Sequence, residues 1–501
     1  MNNGKICVSV FASTADALCE QIGRAEPLAD VIELRIDHLD PSEIDKFLGS
    51  IPQIEKRYLF TYRPRSQGGP LEISLDERKA FWVKIHSKLR DFDYMIDLEE
   101  DLEMPADVDP ERIIRSSHDF RSDAIDALGV FENLSNSAAG IIKIAQQADQ
   151  ITDAISVWSI LDKAATSNKK VIPIAMGEAG KWTRILGLAH GSYLTYASLE
   201  TGSETAPGQI SAFDLRDLYR VKDLDADTGV YGIIAGDTTY SMSPYIHNPA
   251  FRALDINAVF VPLQISDLDA FMQRMVDPRA REVELNFKGF SVTNPHKQSV
   301  IKQLSWIDPD AAAIGAVNTV KVVDGKLHGY NTDAEGFVKP LIDVFGDLKN
   351  SRSAVVGTGG AARACVYMLT KHGSKVIVFG RDQERAHGLA AELGAAKAFL
   401  PATDFREYDI VVNATPLGTL GPNENKTIAT AEQLTGTKLV YDLIYNPVET
   451  RLAVEAKIAG AAFIGGLEML INQGVKQFEI WTGNDAPIDV MRSAVRRRLG
   501  I

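Results

Sequence analysis

Ser353-Ala354-Val355-Val356-Gly357-Thr358-Gly359-Gly360-Ala361-Ala362-Arg363-Ala364-Cys365-Val366 decides how this chain of 501 residues is read. An apolar, strand-like run ends in a glycine turn of pattern G-x-G-x-x-A and opens directly into a helix-like run. Such a turn aims several backbone N–H groups and the positive end of a helix at one point, which suits a pyrophosphate. Gly357, Gly359, Gly360 and Ala361 form the turn. Glycine turns also serve as plain strand-to-helix connections, so the reading leans on the next unit. Lys375-Val376-Ile377-Val378-Phe379 is a second strand, ending at Gly380-Arg381-Asp382, about where a dinucleotide fold selects its cofactor. An NAD site places a carboxylate there for the ribose hydroxyls. Here Gly380 is neutral and Arg381 suits a 2′-phosphate, so the residues favour NADP, with Asp382 standing against it.

Working outward, the chain is too long for one ordinary core and predicts roughly two to four domains. Its 45% hydrophobic and 24% charged content is that of a globular protein. A net charge of −14, with no Lys/Arg stripe interleaved with aromatics, argues against a general nucleic-acid binder. Arg496-Arg497-Arg498 reads as a solvated helix end. Cys7, Cys19 and Cys365 lie far apart in apolar-periodic segments and read as small core residues, with neither a disulfide nor a metal site expected. The first strand begins almost at once, with no signal or transit pattern, and no run reaches membrane-spanning length. The expectation is a cytoplasmic enzyme without a membrane partner.

Before the glycine turn, short apolar strands alternate with amphipathic stretches. Strands are predicted at Ile6–Val10, Val31–Ile36, Tyr58–Tyr62, Tyr94–Leu98, Arg112–Arg115, Gly140–Ile144, Val171–Ile174 and Tyr193–Tyr196, with helical patterns such as Leu75–Leu89 and Ile151–Ala165 between them. Eight strand–helix units over roughly 210 residues predict a (β/α)₈ TIM barrel, whose chemistry sits at the C-terminal ends of the strands. Polar residues recur there: Glu33, Arg35 and Asp37; Arg63; Glu99; His118; Lys143; and Gln209. Lys143 interrupts Ile141-Ile142-Lys143-Ile144-Ala145, so it points into the barrel or into the helix layer. Facing the helices, it would snorkel outward as a structural residue. Facing the barrel, it would be a desolvated amine of lowered pKa, suited to forming a Schiff base with a ketone. His118, at the neighbouring strand end, would then move protons.

Glu33-Leu34-Arg35-Ile36-Asp37, Thr61-Tyr62-Arg63, Ser117-His118-Asp119-Phe120, Ile142-Lys143-Ile144-Ala145 and Ala206-Pro207-Gly208-Gln209-Ile210 resemble the successive motifs of type I 3-dehydroquinate dehydratase, in order and across the whole barrel. The resemblance implies that Lys143 forms the imine with the C3 ketone of 3-dehydroquinate. His118 would remove the C2 proton and help the hydroxyl leave as water. It also implies that Arg184, in Trp182-Thr183-Arg184, receives the substrate carboxylate, with Glu33, Arg35, Arg63, Thr205 and Gln209 lining the pocket. Two positions depart from the usual pattern: Gln67 stands where many members have Glu, and Thr205 where Ser precedes Ala-Pro-Gly-Gln. Both keep hydrogen-bonding capacity, so affinity is affected more than chemistry.

Residues 214–229 mix charges without apolar periodicity, and the boundary is placed near 223. The linker is short, without Pro or a Gly/Ser tract, and predicts modules held close. A new strand–helix series begins at Val230-Tyr231-Gly232-Ile233-Ile234 and meets Ser241-Met242-Ser243-Pro244, two hydroxyls that either cap the helix or bind a small anion there. Then come Phe290-Ser291-Val292-Thr293-Asn294-Pro295-His296-Lys297, Gly315-Ala316-Val317-Asn318-Thr319 and Gly329-Tyr330-Asn331-Thr332-Asp333. Their order, followed by the glycine turn, resembles shikimate dehydrogenase across the rest of the chain. By that resemblance Lys297 and Asp333 are the catalytic pair. Ser241, Ser243, Thr293, Asn318, Tyr445 and Gln473 would bind 3-dehydroshikimate, and the nicotinamide would lie near Thr415 in Asn413-Ala414-Thr415-Pro416 and near Gly466. The family commonly has Asn-Arg-Thr or Asn-Arg-Ser where this chain has Gly380-Arg381-Asp382.

The combined expectation is an α/β chain of two enzymes that dehydrates 3-dehydroquinate and then reduces 3-dehydroshikimate to shikimate with NADPH. Its domains would be a dehydratase barrel over 1–222, a substrate-binding domain over 223–334 completed by 466–501, and a Rossmann NADP domain over 335–465. Its partners would be these small molecules, with no nucleic acid. Two rivals are a ligand-sensing protein that kept the folds and lost catalysis, and a class I aldolase-like barrel fused to a quinate dehydrogenase. The presence of Lys143, His118, Lys297 and Asp333 speaks against the first. The Ser241/Ser243, Asn318 and Gln473 set speaks against the second.

Overall fold

In the computed structural model, which describes residues 2–121, 126–399 and 404–501, the chain forms two units. The first runs to Val230 and includes Asp237–Ser241 and Asn257–Phe287; the second comprises Tyr231–Gly236, Met242–Ile256 and Lys288–Ile501.

The first unit contains β1 (Lys5–Val10), β2 (Val31–Arg35), β3 (Arg57–Thr61), β4 (Tyr94–Glu99), β5 (Ile113–Asp119), β6 (Ile141–Gln147), β7 (Lys170–Met176), β8 (Leu194–Ser198) and the two-residue β9 (Ile210–Ser211). They pair in parallel in the order β7-β6-β5-β4-β3-β2-β1-β8-β9. The Tyr193 N–H donates to the Val171 carbonyl at 2.8 Å, which brings the start of β8 beside β7 and closes the barrel. Inside, Cys7, Val31, Leu59, Met95, Ile114, Ile141, Ile172 and Leu194, one from each of β1 to β8, pack in one buried apolar cluster. Side chains alternate along a strand, so the next inward layer is two residues on. That layer is Ser9, Glu33, Thr61, Asp97, Ser116, Lys143, Ile174 and Tyr196. The barrel interior thus changes from oil to polar chemistry in one step of its pleat.

The helix over Leu75–Leu89 forms as its pattern predicts, started by a capping box in which Ser74 Oγ accepts from the Glu77 N–H at 3.2 Å and Glu77 accepts from the Ser74 N–H at 2.8 Å. The pattern over Ile151–Ala165 is instead broken into a 3₁₀ turn and the helices Ala154–Trp158 and Ile160–Ala164. Ser159 lies at the break, its hydroxyl donating back to the Ser156 carbonyl at 2.8 Å, a bond that competes with helix continuation. β5 continues to Asp119, beyond the predicted end at Arg115, because its Ser-Ser-His-Asp segment still pairs with β6 through Asp119 and Gln146. Residues 214–218 form a turn of π-helix that buries Leu215 and Leu218, where the sequence showed only mixed charge.

Onward lie β10 (Gly229–Ala235), β11 (Ala258–Gln264, in the first unit), β12 (Phe287–Val292), β13 (Trp306–Ile307), β14 (Thr319–Val323) and β15 (Lys326–Tyr330). β10, β12, β14, β15 and β13 lie side by side in that order. A third sheet consists of β16 (Arg352–Val356), β17 (Lys375–Phe379), β18 (Ala396–Phe399), β19 (Ile410–Asn413), β20 (Leu439–Asp442) and β21 (Ala462–Ile464). It is parallel throughout and ordered β18-β17-β16-β19-β20-β21. The chain direction of that order reverses between β16 and β19, so ligand space opens beyond their C-terminal ends, where the glycine turn lies. The helix Gly466–Thr482 then returns to β14: Trp481 Nε1 donates to the Val320 carbonyl at 2.9 Å and Lys321 Nζ to the Ile480 carbonyl at 2.6 Å.

Candidate active sites

Lys143 faces the barrel. It is buried, and together with Glu33, Arg35, Arg63, His118, Arg184, Thr205 and Gln209 it lines one cavity at the C-terminal ends of the strands. Its Nζ lies 3.0 Å from Asp97 Oδ2 and 4.2 Å from the ring centre of Tyr196. An unpaired buried ammonium costs several kcal/mol, and a single carboxylate that also serves Arg63 offsets this only in part. Burial, and after it Arg63, therefore lowers the Lys143 pKa, with Asp97 acting the other way. The Asp97 carboxyl is held well below its usual range: burial opposes ionisation, but Arg63, at 2.6 Å, and then Lys143 outweigh it.

His118 has its tautomer fixed by its neighbours. Arg63 Nη1 can only donate, so at 2.7 Å it makes His118 Nε2 an acceptor. Nδ1 then carries the proton and donates to Gln67 Oε1 at 3.2 Å, an oxygen that also accepts the His118 backbone N–H at 3.0 Å. Burial first, then Arg63 and Lys143, pushes the His118 pKa well below 6.5. The imidazole is thus a neutral base near neutral pH, its lone pair occupied by Arg63 until a ligand displaces it.

Around this pair, Thr61 donates to Glu33 Oε1 at 2.9 Å, and Arg35 is held by Asp37 through Nη2 at 2.7 Å. Thr205 donates its N–H to Gln209 Oε1 at 2.7 Å, while Gln209 Nε2 donates to Thr205 Oγ1 at 3.1 Å, so Thr and Gln steady one another at the rim. Arg184 is buried, and burial pushes its pKa down to about 10. No carboxylate pairs with it among the described residues: Nη2 donates to the Pro207 carbonyl at 3.3 Å and Nε has no partner. A buried cation placed in this way can receive an anion.

In the second unit, Lys297 Nζ is paired with Asp333 Oδ2, and Asn318 Nδ2 donates to Asp333 Oδ1 at 2.8 Å. Asn318 Nδ2 also lies 3.5 Å from Gln473 Oε1, while its Oδ1 accepts the Thr332 N–H at 2.7 Å. Four predicted residues thus share one network. Thr293 follows β12 directly, Ser243 is the first residue of the helix Ser243–Ala253, and Ser241, two positions earlier in the chain, is the last residue of the Asp237–Ser241 segment of the first unit. The N-cap position of that helix is Met242, so neither hydroxyl occupies it. Tyr445 lies in the loop after β20, and burial raises its phenol pKa.

The glycine turn fits a dinucleotide. Gly357 has φ +132°, and a Cβ there would lie 2.6 Å from the Ala414 carbonyl oxygen, so the turn passes against the end of β19 as only glycine permits. Gly359 is the N-cap of the helix Gly360–Lys371 and has open space where a side chain would be. A Cβ on Gly360 would meet Lys297 Cδ at 2.9 Å, which sets the turn beside the Lys297 stem. Thr415 donates its hydroxyl to Asn413 Oδ1 at 2.7 Å, and a Cβ on Gly466 would strike the Leu443 carbonyl oxygen at 2.2 Å. Arg381 is exposed. Asp382 caps the helix Gln383–Glu392 by accepting the Arg385 N–H at 3.1 Å and pairs with Arg385 Nε at 3.3 Å, so its carboxylate is already engaged.

Sequence reading missed Asp97, Ser116 and Tyr196 of the polar barrel layer. Asp97 stands two residues before Glu99 on the same strand face, a period-2 signal that was available.

Residues 6–226 match the family described as type I 3-dehydroquinase, 233–320 the shikimate dehydrogenase substrate binding domain, 341–450 shikimate / quinate 5-dehydrogenase, and 466–496 the shikimate 5′-dehydrogenase C-terminal domain. A bifunctional 3-dehydroquinate dehydratase/shikimate dehydrogenase, chloroplastic, of Arabidopsis thaliana is 35% identical over 97% of this chain and 83% of its own length. A shikimate dehydrogenase (NADP(+)) of Methanopyrus kandleri is 38% identical over 55% of this chain and 98% of its own. A crystal structure of a shikimate dehydrogenase in complex with NADP+ superposes with a TM-score of 0.51 at 39% identity, covering 55% of this chain and 97% of that one.

Proposed function

The chain belongs to the bifunctional 3-dehydroquinate dehydratase/shikimate dehydrogenase family, and from that membership we propose how its residues carry out the two consecutive reactions of the shikimate pathway. The observation that carries the reading is the buried Lys143 beside a neutral His118, with Arg184, which has no carboxylate partner among the described residues, in the same cavity. Arg184 receives the carboxylate of 3-dehydroquinate. Neutral Lys143 attacks the C3 ketone, and loss of water gives an imine that acidifies the C2 hydrogens. As substrate enters, His118 Nε2 exchanges Arg63 for the C2 proton, then returns that proton to the β-hydroxyl, which leaves as water. Hydrolysis of the imine frees Lys143 and releases 3-dehydroshikimate.

The ketone product of the first site is the substrate of the second. Bound NADPH supplies the hydride. Gly357, Gly359, Gly360 and Ala361 would hold its pyrophosphate, Arg381 its 2′-phosphate, and Thr415 and Gly466 would flank its nicotinamide. Ser241, Ser243, Thr293, Tyr445 and Gln473 orient 3-dehydroshikimate. As the carbonyl oxygen gains charge, the Lys297 ammonium, held by Asp333 and through it by Asn318, stabilises and protonates it. The domains are proposed as 1–222, 223–334 with 466–501, and 335–465, in the cytoplasm; among the described residues no helix is long and apolar enough to cross a membrane. The reading involves small-molecule partners alone.

Purified protein given 3-dehydroquinate and NADPH should oxidise the cofactor without any added enzyme. Oxidation with 3-dehydroshikimate alone would sink the claim for Lys143, and no turnover of either ketone would favour a sensor. For cofactor choice, Arg381→Ala should raise KM for NADPH roughly tenfold, the loss of one charge-assisted contact, and leave KM for NADH nearly unchanged. Equal changes for both would show that Arg381 does not read the 2′-phosphate.

A further inference from the structure

We propose that Arg78, outside the cavity, is a positioning residue for dehydration: by holding Glu99 it fixes Arg63 against His118 and Asp97. The inference rests on the reading of Lys143 and His118 given above. Carboxylates and cations alternate along a line running inward: Asp101, Arg78, Glu99, Arg63, Asp97, Lys143. Of the six only Asp101 is substantially exposed, at 50% of its side chain, against 5% for Arg78 and 1% for Glu99. The capping box at Ser74 starts the helix Leu75–Leu89 and so puts Arg78 in its first turns, facing β4. There Arg78 Nη1 donates to Glu99 Oε2 at 3.2 Å and to Asp101 Oδ1 at 2.9 Å.

The other oxygen of Glu99 accepts from Arg63 Nε at 3.3 Å. All three nitrogens of the Arg63 guanidinium are then committed: Nε to Glu99, Nη2 to Asp97 at 2.6 Å, and Nη1 to His118 Nε2 at 2.7 Å. A planar fork with three different partners cannot turn without breaking one of them. The atom at stake is the lone pair that must take the substrate proton, so the angle of Arg63 decides how readily His118 is released to the substrate.

Glu99 holds its end of the fork most strongly while ionised, because a charge-assisted hydrogen bond is about twice as strong as a neutral one. Burial raises its pKa, as does Asp97 on the same strand, and Arg63 and Arg78 oppose that; Arg115 on β5 also lies within reach of its charge. Without Arg78, the buried Glu99 keeps one close cation, takes a proton more easily, and lets Arg63 swing. Lys143 keeps its own bond to Asp97 Oδ2, the oxygen it shares with Arg63, and feels the swing as a weaker lowering of its pKa, an effect that vanishes at a pH where its amine is already neutral.

The test separates imine formation from the proton transfers that follow. Wild type, Arg78→Met, Arg78→Lys and Glu99→Gln are assayed for 3-dehydroquinate turnover, and for borohydride trapping of substrate on Lys143 by peptide mass. Arg78→Met should lower kcat roughly ten- to hundredfold, the scale of a misplaced catalytic group, with the trapping rate, compared at a pH where Lys143 is neutral in every variant, changed far less. Arg78→Lys, which keeps a cation on Glu99, should recover most of the loss. Glu99→Gln should reproduce the split without altering the helix. An unchanged kcat in Arg78→Met or Glu99→Gln overturns the inference, as does trapping that falls in step with turnover. Absence of any Lys143 adduct in wild type overturns the reading of the site, and this inference with it.

Discussion

Lys143→Met lowers 3-dehydroquinate turnover by about 10⁴-fold or more, the expected cost of removing a covalent nucleophile, while the same polypeptide goes on reducing 3-dehydroshikimate at an unchanged rate. Methionine nearly matches the lysine in length and is apolar, so the barrel layer stays filled. Asp97 keeps Arg63 and the Ser116 hydroxyl as partners and is not left bare. Borohydride with substrate should trap a mass adduct on Lys143 in wild type and none in the variant. The pH dependence has a defined sign. Only the neutral amine attacks, and burial with Arg63 lowers its pKa below the ordinary 10.5. Dehydration in wild type should therefore be lost as pH falls through that lowered value, and should be well under way at pH values where an ordinary lysine remains an ammonium. Retention of activity by Lys143→Met would end the imine mechanism for this chain.

Lys297→Met is the mirror experiment. NADPH oxidation with 3-dehydroshikimate should fall by roughly 10³-fold, the combined worth of charge stabilisation and proton donation at one oxygen. Dehydration of 3-dehydroquinate, followed by product absorbance, should be untouched. Asp333→Asn should fall less steeply than Lys297→Met, because Asn318 can still hydrogen-bond the amide while the charge that anchors the ammonium is gone. If Lys297→Met reduces the ketone at the wild-type rate, the pairing seen here is structural.

The two sites differ in how much of them the sequence discloses. In the barrel, strand period alone places the chemistry once one inward residue is known: Ile141 belongs to the apolar layer, so Lys143 faces the same way. The same count finds Glu33 from Val31 and Asp97 from Met95. Asp97 went unread because it sits inside an otherwise apolar strand, whereas Glu99, next to the strand end, looked like a site residue. The extension of β5 through His118 was hidden for the opposite reason, since Ser116-Ser117-His118-Asp119 is polar and resembles a loop until β6 supplies its partners. In the second unit no period helps. Lys297, Asn318, Asp333 and Gln473 come from a strand exit, a strand approach and two helices, and only tertiary packing joins them. Asp382 shows a further limit: as a residue type it argues against a phosphate, and its occupation as a helix cap becomes visible only in three dimensions.

Arg184 carries one more consequence, for the thermodynamics of the fold. A buried guanidinium with no carboxylate partner among the described residues is costly to the fold, and any anion that binds it in the native state stabilises that state by linkage. The barrel should therefore melt at a higher temperature in the presence of a fitting carboxylate, even one that lacks a ketone and cannot react. A rise in melting temperature with such a carboxylate, lost in Arg184→Met, would show that the group which serves binding also weakens the unliganded fold.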